Sequence, residues 1–270
     1  MAITTGDGLI GAARQLVPIT KTAAATTVAA QWHTLLNKAG NPGAGSLSIG
    51  NTTAGVLVDD AVAGFPLLNA FGSGNTGYLH SVAFANTVAS RLEVKDRIWH
   101  AGSVVMTTLA TTTFTGQPSA LGRFPDGAGV GTEIWIEINA AVSATATTVA
   151  VDYTNSAGTA GRTTGATATL ASYITGRLIQ MPLQAGDVGV QKIDSVTIGG
   201  TVASAGSVNV ILARPLWEGG RVPVVGAGDV HGPDKTGLPI VYATSALWPI
   251  IAADSTSSGV PDLLMTVING

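Results

Sequence analysis

The sequence predicts an all-β protein: an antiparallel β-sandwich, jelly-roll-like, preceded by an N-terminal arm that contains one short helix. Three observations predict it. Short apolar runs with a period of two recur from about Tyr78 to the end of the chain. Clusters of Gly, Asn, Ser and Thr separate them, which is the chemistry that tight turns require. Strands do not alternate with amphipathic helices, which disfavours a doubly wound parallel sheet. The expected division is an arm over residues 1–76 and a sandwich domain over residues 77–270.

Residues 1–20 show no clear period and read as arm. The following "TKTAAATTVAAQWHTLLNKAGNPGAG" carries a helix signal. Thr26 or Thr27 can cap its start, and Val28, Trp32, Leu35 and Leu36 recur at helical spacing. Lys38 falls in the last turn, Gly40 can take the left-handed stop, and Pro42 forbids continuation. The Gly/Ser/Asn-rich "GNPGAGSLSIGNTTAG" then reads as a linker or long loop.

The strands follow in order. "YLHSVAFAN" supplies Leu79, Val82 and Phe84. In "RLEVKDRIW", Leu92, Val94 and Ile98 share one face, and Arg91, Glu93, Lys95 and Arg97 share the other. "TEIWIEIN" sets Ile134, Ile136 and Ile138 against Glu133, Trp135 and Glu137. "TVAVDYT" aligns Val149, Val151 and Tyr153. The turn "NSAGTAG" leads to "RTTGATATL", the return strand of a hairpin. "GRLIQMPLQ" aligns Ile179, Met181 and Leu183; "SVTIGG" and "SVNVILAR" are two more strands; "DLLMTVIN" aligns Leu263, Met265 and Val267. Many short strands with turn signals between them form sandwiches of the jelly-roll or Greek-key type.

Charge is scarce. The chain holds 13 basic and 16 acidic side chains in 270 residues, or 11%, against roughly 25% for a usual soluble domain. So little charge guards weakly against self-association, and implies either a surface covered by copies or partners, or a composition biased to Ala and Gly. No basic run exceeds two residues, so a nucleic-acid footprint is absent. Without cysteine there is no disulfide framework, thiolate chemistry or Cys-ligated zinc. The N-terminus lacks a basic region and a long apolar core, so it does not read as a secretory signal. No stretch approaches the roughly 18 apolar residues of a membrane helix. These features fit a protein made and kept soluble, or assembled, inside a cell.

The densest charge lies in "RLEVKDRIW". The mixed signs on one strand face predict a structural face, either solvated or meeting a complementary face on a neighbouring strand or subunit. Asp96 sits on the apolar parity; it marks a bulge or pairs inward with an arginine. The four histidines, His33, His80, His100 and His231, lack the close spacing of a metal site. Acidic candidates are Asp59, Asp60, Asp152, Glu133 and Glu137. Glu133 and Glu137 lie about 13 Å apart along one strand, beyond the roughly 5–9.5 Å between glycosidase carboxyls. "GAGVG" (127–131) precedes a strand and lacks a Lys-Ser/Thr end, so it reads as a turn and not a phosphate loop. Neither "DSVTIGG" nor "SALGR" supplies a nucleophile elbow. Trp99 and Trp135 occupy the polar parity of their strands and hint at exposed aromatic surface, for a subunit contact or a carbohydrate.

The segments "ATTVAAQWHTLLNKAGNPGAG", "RLEVKDRIWHAG", "GTEIWIEINAAVSATATTVAVDYTNSAGTAGRTT" and "MPLQAGDVGVQKIDSVTIGGTVASAGSVNVILARPL" together resemble virion structural proteins of tailed bacteriophages. The nearest likeness is to head proteins of the decoration or cement type, from about residue 22 to the C-terminus. The resemblance implies a β-sandwich in a homotrimer or other symmetric oligomer. It implies the major capsid protein as partner, with no nucleic acid or membrane. The place would be the capsid surface, after assembly in the bacterial cytoplasm. It implies no enzymatic activity, and no catalytic residue, cofactor or metal. Three other readings stay open: a head-fibre or tail protein binding host glycans through Trp99 and Trp135, a sandwich hydrolase using Glu133 and Glu137, and the coat-forming subunit.

Overall fold

A computed structural model describes residues 3, 5–165, 167 and 170–270. In chain order the elements are α1 (Gly6–Gly11), β1 (Ala13–Lys21), β2 (Trp32–Thr34), β3 (Gly40–Asn41), β4 (Val56–Leu57), β5 (Gly77–Ala85), β6 (Ser90–Val105), β7 (Thr111–Thr113), β8 (Glu133–Ala140) and β9 (Thr147–Asn155). They continue with β10 (Arg162–Thr163), β11 (Leu178–Met181), β12 (Val190–Gly200), β13 (Ser207–Val222), β14 (Gly228–His231), α2 (Pro233–Thr236), β15 (Ile240–Val241), β16 (Leu247–Ala253) and β17 (Asp262–Asn269).

All strand pairs are antiparallel, and they form three sheets. The widest has the order β11-β8-β13-β6-β16-β2, with β4 added on β6. A four-stranded sheet, β10-β9-β12-β7, and a six-stranded sheet, β14-β5-β17-β1-β3 with β15 on β5, stack on it. From β5 to β9 each strand enters a different sheet from the one before. Such crossing between layers is the habit of a β-sandwich, so the predicted fold class holds.

Two cores share the widest sheet. One half of β6 and β13, through Ile98, Val104, Val208 and Val210, packs on Val149, Val151, Ile193 and Val196 of the four-stranded sheet. The other half, through Leu92, Val94, Leu216 and Val222, packs on Val17, Val82, Met265 and Val267 of the six-stranded sheet. Strands of 16 residues make this possible, since each spans about 50 Å when extended. The opposite face of the widest sheet is covered by the chain around Leu36, Leu47, Val58 and Phe65.

Most predicted inward faces are found inward. Ile134, Ile136 and Ile138, Val149, Val151 and Tyr153, and Leu263, Met265 and Val267 are fully buried. Leu79 and Val82 both face the core although three positions separate them, because the β5–β17 register slips between Thr266 and Val267. That slip is a bulge at His80. The prolines inside strands obey the ladder: Pro215 lies at a register shift in β13, and Pro249 lies beside the stretch of β16 that pairs with β2. "NSAGTAG" is the predicted hairpin turn, with Arg162 and Thr163 returning along Tyr153 and Asp152. Ala166, Ala168 and Thr169 of the predicted return strand lie outside the described residues.

Two expectations are corrected. The helix predicted over Thr26 to Lys38 is not formed; the short helix of the N-terminal region is α1, and residues 32–34 are strand β2 against β16. Leu35 and Leu36 enter cores on opposite sides of the widest sheet. Burying each contributes about 1.5–3 kcal/mol, against a few tenths per residue between helix propensities. The segment 1–76 is also no detached arm. β1 lies between β17 and β3, and β2 edges the widest sheet. The strand in β1 was masked by Gln15 and Pro18, which break its apolar alternation.

Lys21 ends β1 with its side chain buried. Its ammonium donates to the carbonyls of Lys38 (3.2 Å) and Pro42 (3.0 Å). Burial lowers its pKa to about 8. An unfolded chain therefore binds more protons than the folded one between about pH 8 and 10.5, and stability rises with pH across that window. The expected gain is on the order of 1–3 kcal/mol. Urea midpoints at the two ends of the window check it: the Lys21→Met protein should lack the increment, and an equal rise in both proteins would refute the assignment.

Candidate functional site

The charged run of β6 is the first place to look for chemistry. Lys95 is 1% exposed, and Asp96 and Arg97 are 0%. Of the covers expected for this face, water or a complementary strand or subunit, Lys95 and Arg97 have a strand: their partners lie on β8 and β13 of the same sheet, while Arg91 stays exposed. The chain around Leu36 and Phe65 covers the face of the sheet that carries Lys95 and Arg97. A buried charge must find counter-charges and hydrogen bonds.

Lys95 finds three carboxylates: Glu218 at 2.9 Å, Glu133 at 3.0 Å and Glu93 at 3.1 Å. Burial alone would lower its pKa, but Glu133, Glu93 and Glu218 outweigh it and hold the ammonium above its ordinary value. Burial raises Glu93, and Lys95 only partly opposes this. The ammonium also lies 5.3 Å from the Trp135 ring centre.

Arg97 pairs with Glu137 at 3.1 Å, both fully buried. Its guanidinium stacks 4.8 Å from the Trp248 ring centre and touches Nδ1 of His100. Asn209 donates to Glu137 at 2.9 Å and to the carbonyl of Leu47 at 2.8 Å. Burial, then the Arg97 charge, holds the His100 imidazole well below its usual pKa. Gly102 closes this cluster, since a Cβ there would overlap Oδ1 of Asn209.

Asp96 faces the other way, as its parity predicted, and pairs inward with two arginines: Arg123 at 3.1 Å and Arg214 at 3.3 Å. It also accepts from the Ser245 hydroxyl (2.8 Å) and the Ala246 backbone N–H (3.1 Å).

The other candidates resolve as follows. Glu133 and Glu137 are engaged by Lys95 and Arg97. Among the described residues no three His, Cys, Asp or Glu side chains come together as metal ligands. His33 is buried in β2 and contacts the Gln31 carbonyl at 2.9 Å. His231 accepts from the Trp217 indole at 3.0 Å, and His80 marks the β5 bulge. Asp59 and Asp60 shape their own loop, and Asp152 accepts from Ser195 and Thr163. "GAGVG" is the predicted turn: the Asp126 carboxylate accepts from the backbone N–H groups of Ala128, Gly129 and Val130. The exposed surface expected at Trp99 and Trp135 is corrected, as each is 1% exposed. Trp99 packs edge-on against Phe114, and the Trp135 indole donates to Glu133 at 2.8 Å.

What remains open is a surface. On the outer face of the six-stranded sheet Val230, Ala83, Leu264 and Pro18 stand directly opposite one another across four strands. Val230 is 62% exposed and Leu264 42%; beyond Pro18 the strip continues to Leu16 (63%) and Leu67 (71%). The row is about 14 Å wide from β14 to β1. Acidic side chains, Asp229 and Asp262, stand at the rim of its shallow depression, of about 540 Å³. Sequence reasoning missed this face because its residues are gathered from several strands, with no more than one or two from each.

The sequence matches no family model and no curated protein. Among solved structures it is similar to the VP2 subviral particle of infectious bursal disease virus, at 10% identity, 95% of this chain and 79% of that one, with a TM-score of 0.20. The structure of the Gx strain of that virus gives 10% identity over 96% and 80%, with a TM-score of 0.18. T=1 particles derived from it give 8% over 95% and 76%, with a TM-score of 0.19. Overlaps this loose leave the chain's own geometry as the ground for a functional reading.

Proposed function

We propose that this protein is a virion structural subunit without enzymatic activity, one that decorates or stabilises a bacteriophage capsid by binding between capsid subunits. The observation that carries the reading is the open apolar row Val230–Ala83–Leu264–Pro18 with Leu16 and Leu67. A contiguous exposed apolar face marks an interaction site more often than an incidental surface. The covered charges of β6 support the same reading, because they withdraw the chain's scarce charge from its exterior. The resemblance of residue 22 onward to phage head proteins supports the capsid as the partner, with a homotrimer as the unit that binds it. The coat-forming subunit itself is the second reading, favoured by the same face; shell formation by the purified protein alone would decide for it. Glycan binding through Trp99 and Trp135 loses its basis, since both rings are inside.

Light scattering is expected to give a trimer mass for the purified protein. The Leu264→Lys/Val230→Asp protein should be monomeric and lose capsid binding, while its melting temperature changes little, because both side chains point to solvent. A parent protein that stays monomeric at high concentration and ignores capsid shells would defeat the proposal.

A further inference from the structure

A second open feature lies at the far end of the widest sheet. Across β13, β6, β16 and β2, the residues Arg221, Arg91, Ala252 and Trp32 stand in register, one per strand. Like charges directly opposite each other on a sheet are destabilising. Yet Arg91 and Arg221 are both exposed, and among the described residues neither makes an ion pair or a side-chain hydrogen bond. They line a cleft of about 590 Å³, together with half-buried Trp32, Glu93, Glu218 and the small Gly219 and Gly220.

We propose that this cleft binds an acidic sugar, with Arg91 and Arg221 holding its carboxylate and Trp32 carrying a face of its ring. Two guanidinium forks match a carboxylate in geometry as well as charge. Arg91 and Trp32 are separated by two strand spacings, about 10 Å, which is room for one pyranose ring and its carboxylate. Glu218 and Glu93 each turn one oxygen to Lys95, and their other oxygens can accept sugar hydroxyls. Charge selects the ligand further. Lys95 stands against Glu93, Glu133 and Glu218, so the two extra carboxylates are balanced by Arg91 and Arg221. The cleft is thus neutral overall, and it opposes a phosphate dianion or a nucleic-acid strand more strongly than a singly charged carboxylate held by the two forks.

The test is titration of the intact protein with galacturonate and with N-acetylneuraminate, followed by calorimetry or ligand-observed NMR. Galactose, acetate and inorganic phosphate serve as comparison probes. The expected result is binding of at least one acidic sugar at least about tenfold tighter than galactose, a difference of about 1.4 kcal/mol. Arg91→Ala and Arg221→Ala should each weaken it about tenfold or more, and Arg221→Ala should melt no lower than the parent, since it relieves a like-charge pair. Arg91→Lys keeps the charge without the fork and should also weaken binding at unchanged melting temperature. Trp32→Phe should weaken the sugar and leave acetate as it was. Three results would overturn the proposal: no binding of either acidic sugar up to its solubility limit, equal binding of acetate or phosphate independent of Trp32, or arginine substitutions that change only the oligomer mass.

Discussion

The Asp96→Asn protein is expected to be about 3–5 kcal/mol less stable than its parent, the loss that follows when one partner of a buried ion pair is removed. Among the described residues Asp96 is the only acid paired with Arg123 and Arg214, and it accepts from Ser245 and Ala246 as well. An amide keeps the shape but brings an N–H₂ against donors and leaves two guanidinium groups facing each other. In a chain of this size each kcal/mol moves the melting temperature by about 2–4 °C, so the fall should be plain in a thermal scan. Urea denaturation gives the free energy directly, and a loss below about 1 kcal/mol would show that the site behaves like a solvated surface pair.

The second large effect separates a charge from a pair of charges. Arg97→Met alone should cost about 3–5 kcal/mol, because Glu137 is left buried with Asn209 alone among the described residues to donate to it. Adding Glu137→Gln should restore a good part of that loss. The methionine still packs on Trp248, the glutamine carbonyl still accepts from Asn209, and no charge remains uncompensated. Double-mutant analysis should return a coupling of about 0.5–3 kcal/mol. Strict additivity of the two single losses would mean that Arg97 and Glu137 do not act as a pair.

Those two sites show what a sequence can and cannot convey. The alternation in "RLEVKDRIW" and "TEIWIEIN" was legible because one face of each strand is apolar, and the inward turn of Asp96 followed from its parity. The partners were not legible. Arg97 meets Glu137, 40 residues on, and Lys95 meets Glu218, 123 residues on. No local pattern encodes such pairings, so a face that alternates charge looks the same whether water or a neighbouring strand covers it. β16 escaped notice for the opposite reason. Its seven residues are all buried, and a strand covered on both faces has no alternation to read. The false helix arose because Val28, Trp32, Leu35 and Leu36 fit a helical stripe by spacing, while tertiary burial sends Leu35 and Leu36 to opposite sides. The cleft at Trp32 joins residues from three strands, so neither of its arginines was distinguishable from any other exposed cation. The open apolar row was hidden in the same way.

β6 and β13 run without interruption through both cores. Neither half of the body can swing relative to the other without bending those two ribbons, each gripped by packing on both sides. Any bending of one half against the other must bend both ribbons together, and the side chains packed on each of them in the two cores resist it.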